Sequence, residues 1–238
     1  MRGTVPVTAR GYDNGGMSRI DLALPESPAC LAALDVARNY HTPSMLNHCI
    51  RSFLWAADYA RRNDMAIDEE LLFVSALLHD IGLVTEFDNY TVPFENAGGH
   101  VTWVFGAGAG WPRERRARAA EVIVRHMWDE VDPQLDPEGF LLAIATGLDI
   151  SGRDAQLWPE EFRAAVVERY PRLTLREEFL RCFLEQADRK PLSSAADAIA
   201  SGIAGRLDAN PLDAGPLGAG PLGAGPLGAG PLGAPPAA

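Results

Sequence analysis

The sequence predicts an all-α domain of about eight helices. Three observations predict it. Apolar residues recur at spacings of three and four, cap residues and prolines punctuate the helix starts, and strand-like alternation is scarce between residues 20 and 206.

The elements follow in order. Thr42 caps "TPSMLNHCIRSFLWAADYARR", with Pro43 at the first helical position. Leu46, Ile50, Phe53, Leu54 and Ala57 form its buried face. Asp68 with Glu70 opens the next helix, which contains "LLFVSALLHDIG". This stretch is apolar almost to its end, then sets His79 and Asp80 side by side before Gly82, which is placed to end the helix. Asp136-Pro137 starts a helix through "EGFLLAIATGLDI". Trp158-Pro159 opens "EEFRAAVVERY", closed by Pro171, and Thr174 caps "LREEFLRCFLEQADR", closed by Pro191.

The folded unit is expected over residues 21–207. Residues 1–20 are Gly-rich and aperiodic and read as a flexible, disordered lead-in. Residues 208–238 carry a five-residue repeat, PLDAG then PLGAG, in which proline removes a donor and glycine raises backbone entropy. One leucine per repeat offers too little apolar area to offset ordering, so this tail reads as flexible and extended.

Composition narrows the function. A net charge of -11 repels nucleic-acid backbones and anionic membranes, so neither is an expected partner. A small-molecule substrate is, and a homo-oligomer stays open. No apolar run approaches the roughly 18 residues of a membrane span, and the opening lacks the apolar core of a secretory signal. Three scattered cysteines, Cys30, Cys49 and Cys182, form no CxxC pair and suit a reducing, cytoplasmic setting as buried thiols. The helix of "PRERRARAA" carries four arginines without aromatic interleaving and reads as a solvated face.

The polar residues inside helices carry the chemistry. Of the five histidines, His48 lies beside an apolar stripe, His79 follows Leu77-Leu78, and His126 follows "EVIV". Asp149 follows "AIATGL". A buried lone imidazole or carboxylate is costly unless paired or metal-bound, so such residues on several helices are expected to meet. His48, His79, Asp80 and Asp149 would make an N/N/O/O shell for a divalent metal, zinc first, with iron or manganese as alternatives. Taken singly, each has a plainer reading as a packed histidine or a helix-end hydrogen-bonder.

The order H…HD…D on an all-α domain resembles the HD-domain metal-dependent superfamily. "PSMLNHCIRSFLWA", "SALLHDIGL", "PFENAGGHV", "VIVRHMWDEVDP", "GLDISG" and "VVERYPR" are similar to its cyanamide-hydratase-like branch, over roughly residues 20–205. The resemblance implies an HD-domain helical bundle. It also implies His48 as first ligand, His79 and Asp80 as the paired ligands, and Asp149 as the last. Glu95, His126 and Asp80 are the candidate catalytic residues, with Glu95 or His126 handling the proton step. His126 could also hold a second metal or hydrogen-bond the substrate, His100 with His126 would support a di-iron site, and His41, just before the Thr42 cap, is expected to be exposed.

The activity implied is that of a metal-dependent hydro-lyase or hydrolase acting on a small polar, cyanamide- or nitrile-like substrate through activated water. Three alternatives stand beside it. One is an HD phosphohydrolase, disfavoured because "HDIGLVTEF" lacks the lysine often found after the doublet. The others are a di-iron oxygenase and a catalytically inactive scaffold.

Overall fold

The computed structural model describes residues 20–213, and every structural statement below concerns these. They contain ten α-helices and no strand. The helices are α1 (Pro28–Tyr40), α2 (Pro43–Arg62), α3 (Glu69–Leu78), α4 (Phe94–Gly108), α5 (Arg113–Arg125), α6 (Pro137–Ser151), α7 (Glu160–Arg169), α8 (Leu175–Arg189), α9 (Ser194–Ala200) and α10 (Ile203–Asp208). The two beyond the expected eight, α9 and α10, span seven and six residues. Segments that short carry too few turns to reveal a helical period.

Local chemistry starts the helices where the sequence predicts. The side chains of Ser27, Thr42, Asp68, Asp136 and Ser193 each accept a hydrogen bond from a backbone N–H of the first turn. Such a cap stabilises a helix by about 1 kcal/mol. Pro28, Pro43 and Pro137 occupy the start of α1, α2 and α6, where their missing N–H costs nothing. Thr174 departs from expectation: it precedes α8 but makes no cap bond, and its hydroxyl donates to Ser44 Oγ instead.

Helix α3 is the centre of the bundle. Every residue from Leu71 to Leu78 is buried, as an apolar-all-round helix must be. Around it α1, α2, α5 and α6 form a large core containing Phe53, Trp55, Phe73, Leu77, Leu142 and Trp158. A smaller core joins Met45, Phe94, Ile150, Phe179, Phe183 and Ile203. Helix α2 contributes to both, since Met45 faces the small core while Cys49 and Phe53 face the large one.

Three readings are corrected here. Gly82 does not end α3 as a left-handed cap; it lies in a short 3₁₀ turn, Ile81–Leu83. Its requirement is space, because a Cβ there would stand 2.1 Å from the Phe94 carbonyl oxygen. The arginines of α5 are not merely solvated. Arg115 pairs with Asp68 at 2.7 Å, and Arg118 pairs with Glu138 at 2.6 Å and with Asp136, tying α5 to the starts of α3 and α6. Finally, the expected extended tail lies mostly outside the described residues, as does the lead-in, but its first residues are docked. Asn210 and Leu212 are only 3% and 6% exposed.

Gly82→Ala is expected to cost about 2–3 kcal/mol, since the added methyl meets backbone that cannot rotate away. Urea denaturation checks this, and unchanged stability would contradict the close packing of the turn on α4.

Candidate metal centre

Two helices deliver the central residues. His48 projects from the middle of α2, while His79 and Asp80 occupy the turn where α3 stops. All three are buried. One ligand-capable atom from each lies within 4.8 Å of the others. His48 Nε2 and His79 Nε2 are 3.1 Å apart, and Asp80 Oδ2 stands 3.4 and 3.3 Å from them. Ending the helix at Leu78 lets two consecutive side chains face one point, which an α-helix interior does not allow.

The protonation pattern tests whether these residues fit a metal. His79 Nδ1 lies 2.8 Å from the Ala76 carbonyl, which only accepts, so Nδ1 carries the proton. His48 Nδ1 lies 2.7 Å from Asp149 Oδ2 and donates to it. In both neutral rings Nε2 is therefore a bare lone pair. Asp80 Oδ2 is buried with no hydrogen-bond partner. Two lone pairs and a carboxylate oxygen thus face one another, an arrangement that a cation at their meeting point satisfies. Electrostatics agrees. Burial works against an imidazolium at His48, yet the hydrogen bond to Asp149 and the nearby charges of Asp149 and Asp80 outweigh it and raise its pKa. The field that draws a proton to this point also draws a metal ion.

Asp149 sits elsewhere than the sequence suggests. It is not in the converging group but behind His48. Its Oδ1 accepts from Arg51 Nε at 2.8 Å and Trp55 Nε1 at 2.9 Å, and its Oδ2 from the Arg51 terminal nitrogen and His48 Nδ1, both at 2.7 Å. Burial opposes its charge, but Arg51 and His48 hold the carboxyl well below the usual range. Asp149 therefore fixes the tautomer and orientation of the His48 ring. From the sequence Trp55 reads only as core or pocket wall, and Arg51 has no assigned role. The available signal was spacing, since they follow His48 by three and seven residues and so share its helix face.

The other candidates divide. The His126 ring packs against His79 with centroids 4.9 Å apart, and its Nδ1 donates to the Ile123 carbonyl. Burial, then the neighbouring His79, push its pKa down to about 3, so the ring is neutral and presents Nε2 as an acceptor. Glu95 lies in the first turn of α4 and is buried; its Oε1 accepts from Ser194 Oγ at 2.8 Å and its Oε2 has no partner. Burial raises its pKa. His100 is exposed, which removes one of the two residues offered for a second metal. His41 is buried rather than exposed, with Nε2 3.2 Å from the Leu77 carbonyl, and burial lowers its pKa to about 4.

The converging residues floor a cavity of about 990 Å³ at the seam of the two cores. Its walls include Met127, Trp128, Ile150, Phe179, Phe183 and Ser194. Two arginines, Arg153 and Arg206, also line it, but both are exposed and already donate to backbone carbonyls, of Ala143 and Ser201.

A histidine inside one helix and a His-Asp doublet at the end of another, gathered in an all-α bundle, point to a divalent-metal class of protein. The HD domain family model matches residues 45–149, a span that begins just before His48 and ends on Asp149. Cyanamide hydratase DDI2 and cyanamide hydratase DDI3 of Saccharomyces cerevisiae are each 31% identical over 176 residues, covering 70% of this chain and 76% of theirs. The chain belongs to the HD-domain superfamily of metal-dependent hydrolases and hydratases, in its cyanamide-hydratase-like branch. No helix among the described residues is long and apolar enough to cross a membrane.

Two outcomes are expected. Asp149→Asn keeps a hydrogen-bonding side chain behind His48 but loses the charge, and lowers metal affinity by about 10–100-fold without changing stoichiometry. Competition against a chromophoric chelator measures this, and wild-type affinity would remove Asp149 from its orienting role. Acid stability gives the second. His41 has a folded pKa of about 4, below the 6.5 of an unburied histidine, so the unfolded chain binds more protons between these values and stability falls as pH drops through them. His41→Gln removes one such proton and flattens the pH dependence of urea midpoints between about 6.5 and 4; an unaltered slope would contradict the burial of a neutral ring.

Proposed function

We propose that the chain is a hydratase that adds water to a cyanamide- or nitrile-like group, converting cyanamide to urea, with zinc held by His48, His79 and Asp80. The observation that carries this reading is the convergence of two bare imidazole nitrogens and a partnerless carboxylate oxygen on a cavity floor. The relatives named cyanamide hydratase supply the substrate class.

A bound divalent ion acidifies water toward neutrality and polarises the group under attack. The protein handles the protons and the positioning. His126, neutral and with Nδ1 already committed to the Ile123 carbonyl, accepts a hydrogen bond or proton at Nε2 beside the His79 ring. The sequence offered Glu95 or His126 for the proton step, and the low pKa of His126 makes its ring an acceptor rather than a donor. Glu95 is the better donor. Burial raises its pKa above the ordinary carboxylate value, the direction a proton donor needs. The Ser194 hydroxyl, which both lines the cavity and bonds Glu95 Oε1, connects that proton to the substrate nitrogen. Hydration then balances: the carbon gains hydroxyl oxygen, the nitrogen gains a proton, and tautomerisation yields the amide of urea.

The charges near the floor favour this over phosphate-ester cleavage. Arg51 is spent on Asp149, and the two cavity arginines are exposed and engaged with carbonyls. No lysine lines the cavity. The exposed His100 weakens the di-iron alternative.

The test is urea formation from cyanamide by the zinc-loaded chain, with small nitriles run beside it and released phosphate assayed from nucleotides. His126→Ala and Glu95→Gln are each expected to lower kcat by about 10²–10⁴-fold while zinc remains bound. Phosphate release without urea would overturn the assignment.

A further inference from the structure

We propose that residues 210–213, where the five-residue repeat begins, form a latch that orients Asp149, and through it the ligand nitrogen of His48. This rests on the reading of His48 as a metal ligand. The latch comprises Asn210, Leu212 and Asp213.

The repeat itself singles out this unit. It reads PLDAG, whereas the following units read PLGAG, so Asp213 stands where its successors carry glycine. Asp213 is ion-paired: its Oδ1 accepts from Arg172 Nε. Arg172 is 5% exposed, and its NH1 donates to the backbone carbonyl of Asp149 and lies 3.7 Å from Asp149 Oδ2. Asn210 Nδ2 donates to the same Asp149 carbonyl at 2.9 Å. Asn210 Oδ1 in turn accepts from Leu212 N at 2.9 Å, and Leu212 is buried in the large core.

The need for such a clamp follows from where Asp149 sits. It lies in the last turn of α6, whose final carbonyls have no partner within the helix. Left to water, a last turn frays, and a frayed turn swings the Asp149 carboxylate away from His48 Nδ1. Arg172 and Asn210 hold that carbonyl from outside. Gly152, which ends α6 in the left-handed region at φ 68°, lets the strap close, since a Cβ there would stand 2.3 Å from Pro211 Cδ. Asn210, Arg172 and Asp213 touch no cavity atom; they are positioning residues acting through Asp149.

The experiment uses the full-length chain, stripped of metal and titrated with zinc against a chromophoric chelator. The variants are Asn210→Ala with Asp213→Gly, Asp213→Glu alone, and Leu34→Ala on α1 as a remote core variant that also lowers Tm. A second readout is the exchange-protected His48 Nδ1 proton resonance of the metal-free chain, assigned by its loss in His48→Gln. The latch predicts that the double variant weakens zinc binding about tenfold and broadens or shifts that resonance. Asp213→Glu retains both, and Leu34→Ala lowers Tm but leaves both unchanged. Wild-type affinity and an unmoved resonance in the double variant would overturn the latch, as would an equal loss of affinity in Leu34→Ala. Wild-type chain that binds no zinc would instead overturn the metal reading, and the resonance would then decide the latch alone.

Discussion

The structure turns on one buried carboxylate. Asp149 is fully removed from water and charged, a state that costs several kcal/mol unless every lone pair is used. Four donors use them: two from Arg51, one from Trp55 and one from His48. Three of these groups project from α2 and the carboxylate from α6, so the cluster fixes the register between the two helices. A helix pair held by apolar contacts alone could slide by a fraction of a turn at small cost. Here sliding would leave an unpaired charge inside the protein, and that is costly enough to set one arrangement.

From that register the metal centre follows. With His48 Nδ1 committed to Asp149, its Nε2 can face only one way, toward the end of α3. There the helix stops because His79 turns its Nδ1 back to the Ala76 carbonyl, and the 3₁₀ turn packs on α4 through Gly82. Both imidazoles thus have their outer nitrogens tied to fixed acceptors before any ion arrives. Affinity gained this way costs little reorganisation on binding, which is the physical use of partners behind the ligands.

Much of this was legible in the sequence, for identifiable reasons. Caps and prolines marked helix starts at Thr42, Asp68 and Asp136 because those signals are local. The gathering of His48, His79 and Asp80 was legible because imidazoles and carboxylates on apolar faces have few cheap destinations. What failed depended on tertiary geometry. Order along the chain brings Asp149 to His48 but does not say which ring nitrogen it meets. His41 looked exposed beside its cap, yet its ring reaches the Leu77 carbonyl across the α1–α2 bend. The α5 arginines looked solvated because their acidic partners, Asp68, Asp136 and Glu138, lie far off in sequence. Leu212 looked too isolated to order anything, but a single leucine suffices when a formed core already offers it a place.

Charge accounting then bears on what such a cavity receives. Asp149 and Arg51 cancel, and His48, His79 and His126 are neutral when their bare nitrogens face a cation or the cavity. Asp80 contributes one negative charge, so a divalent ion there leaves the floor with a single net positive charge. That favours a polarisable group whose electrons can be drawn toward it, at short range. At long range the chain carries a net charge of -11 and repels anions. A polyanionic phosphate ester would approach against that field and find a floor with one surplus charge and no free lysine. A small uncharged molecule meets neither barrier. It needs only polarisation at one end and a proton acceptor and donor within reach, the roles proposed above for His126 and the Ser194–Glu95 pair.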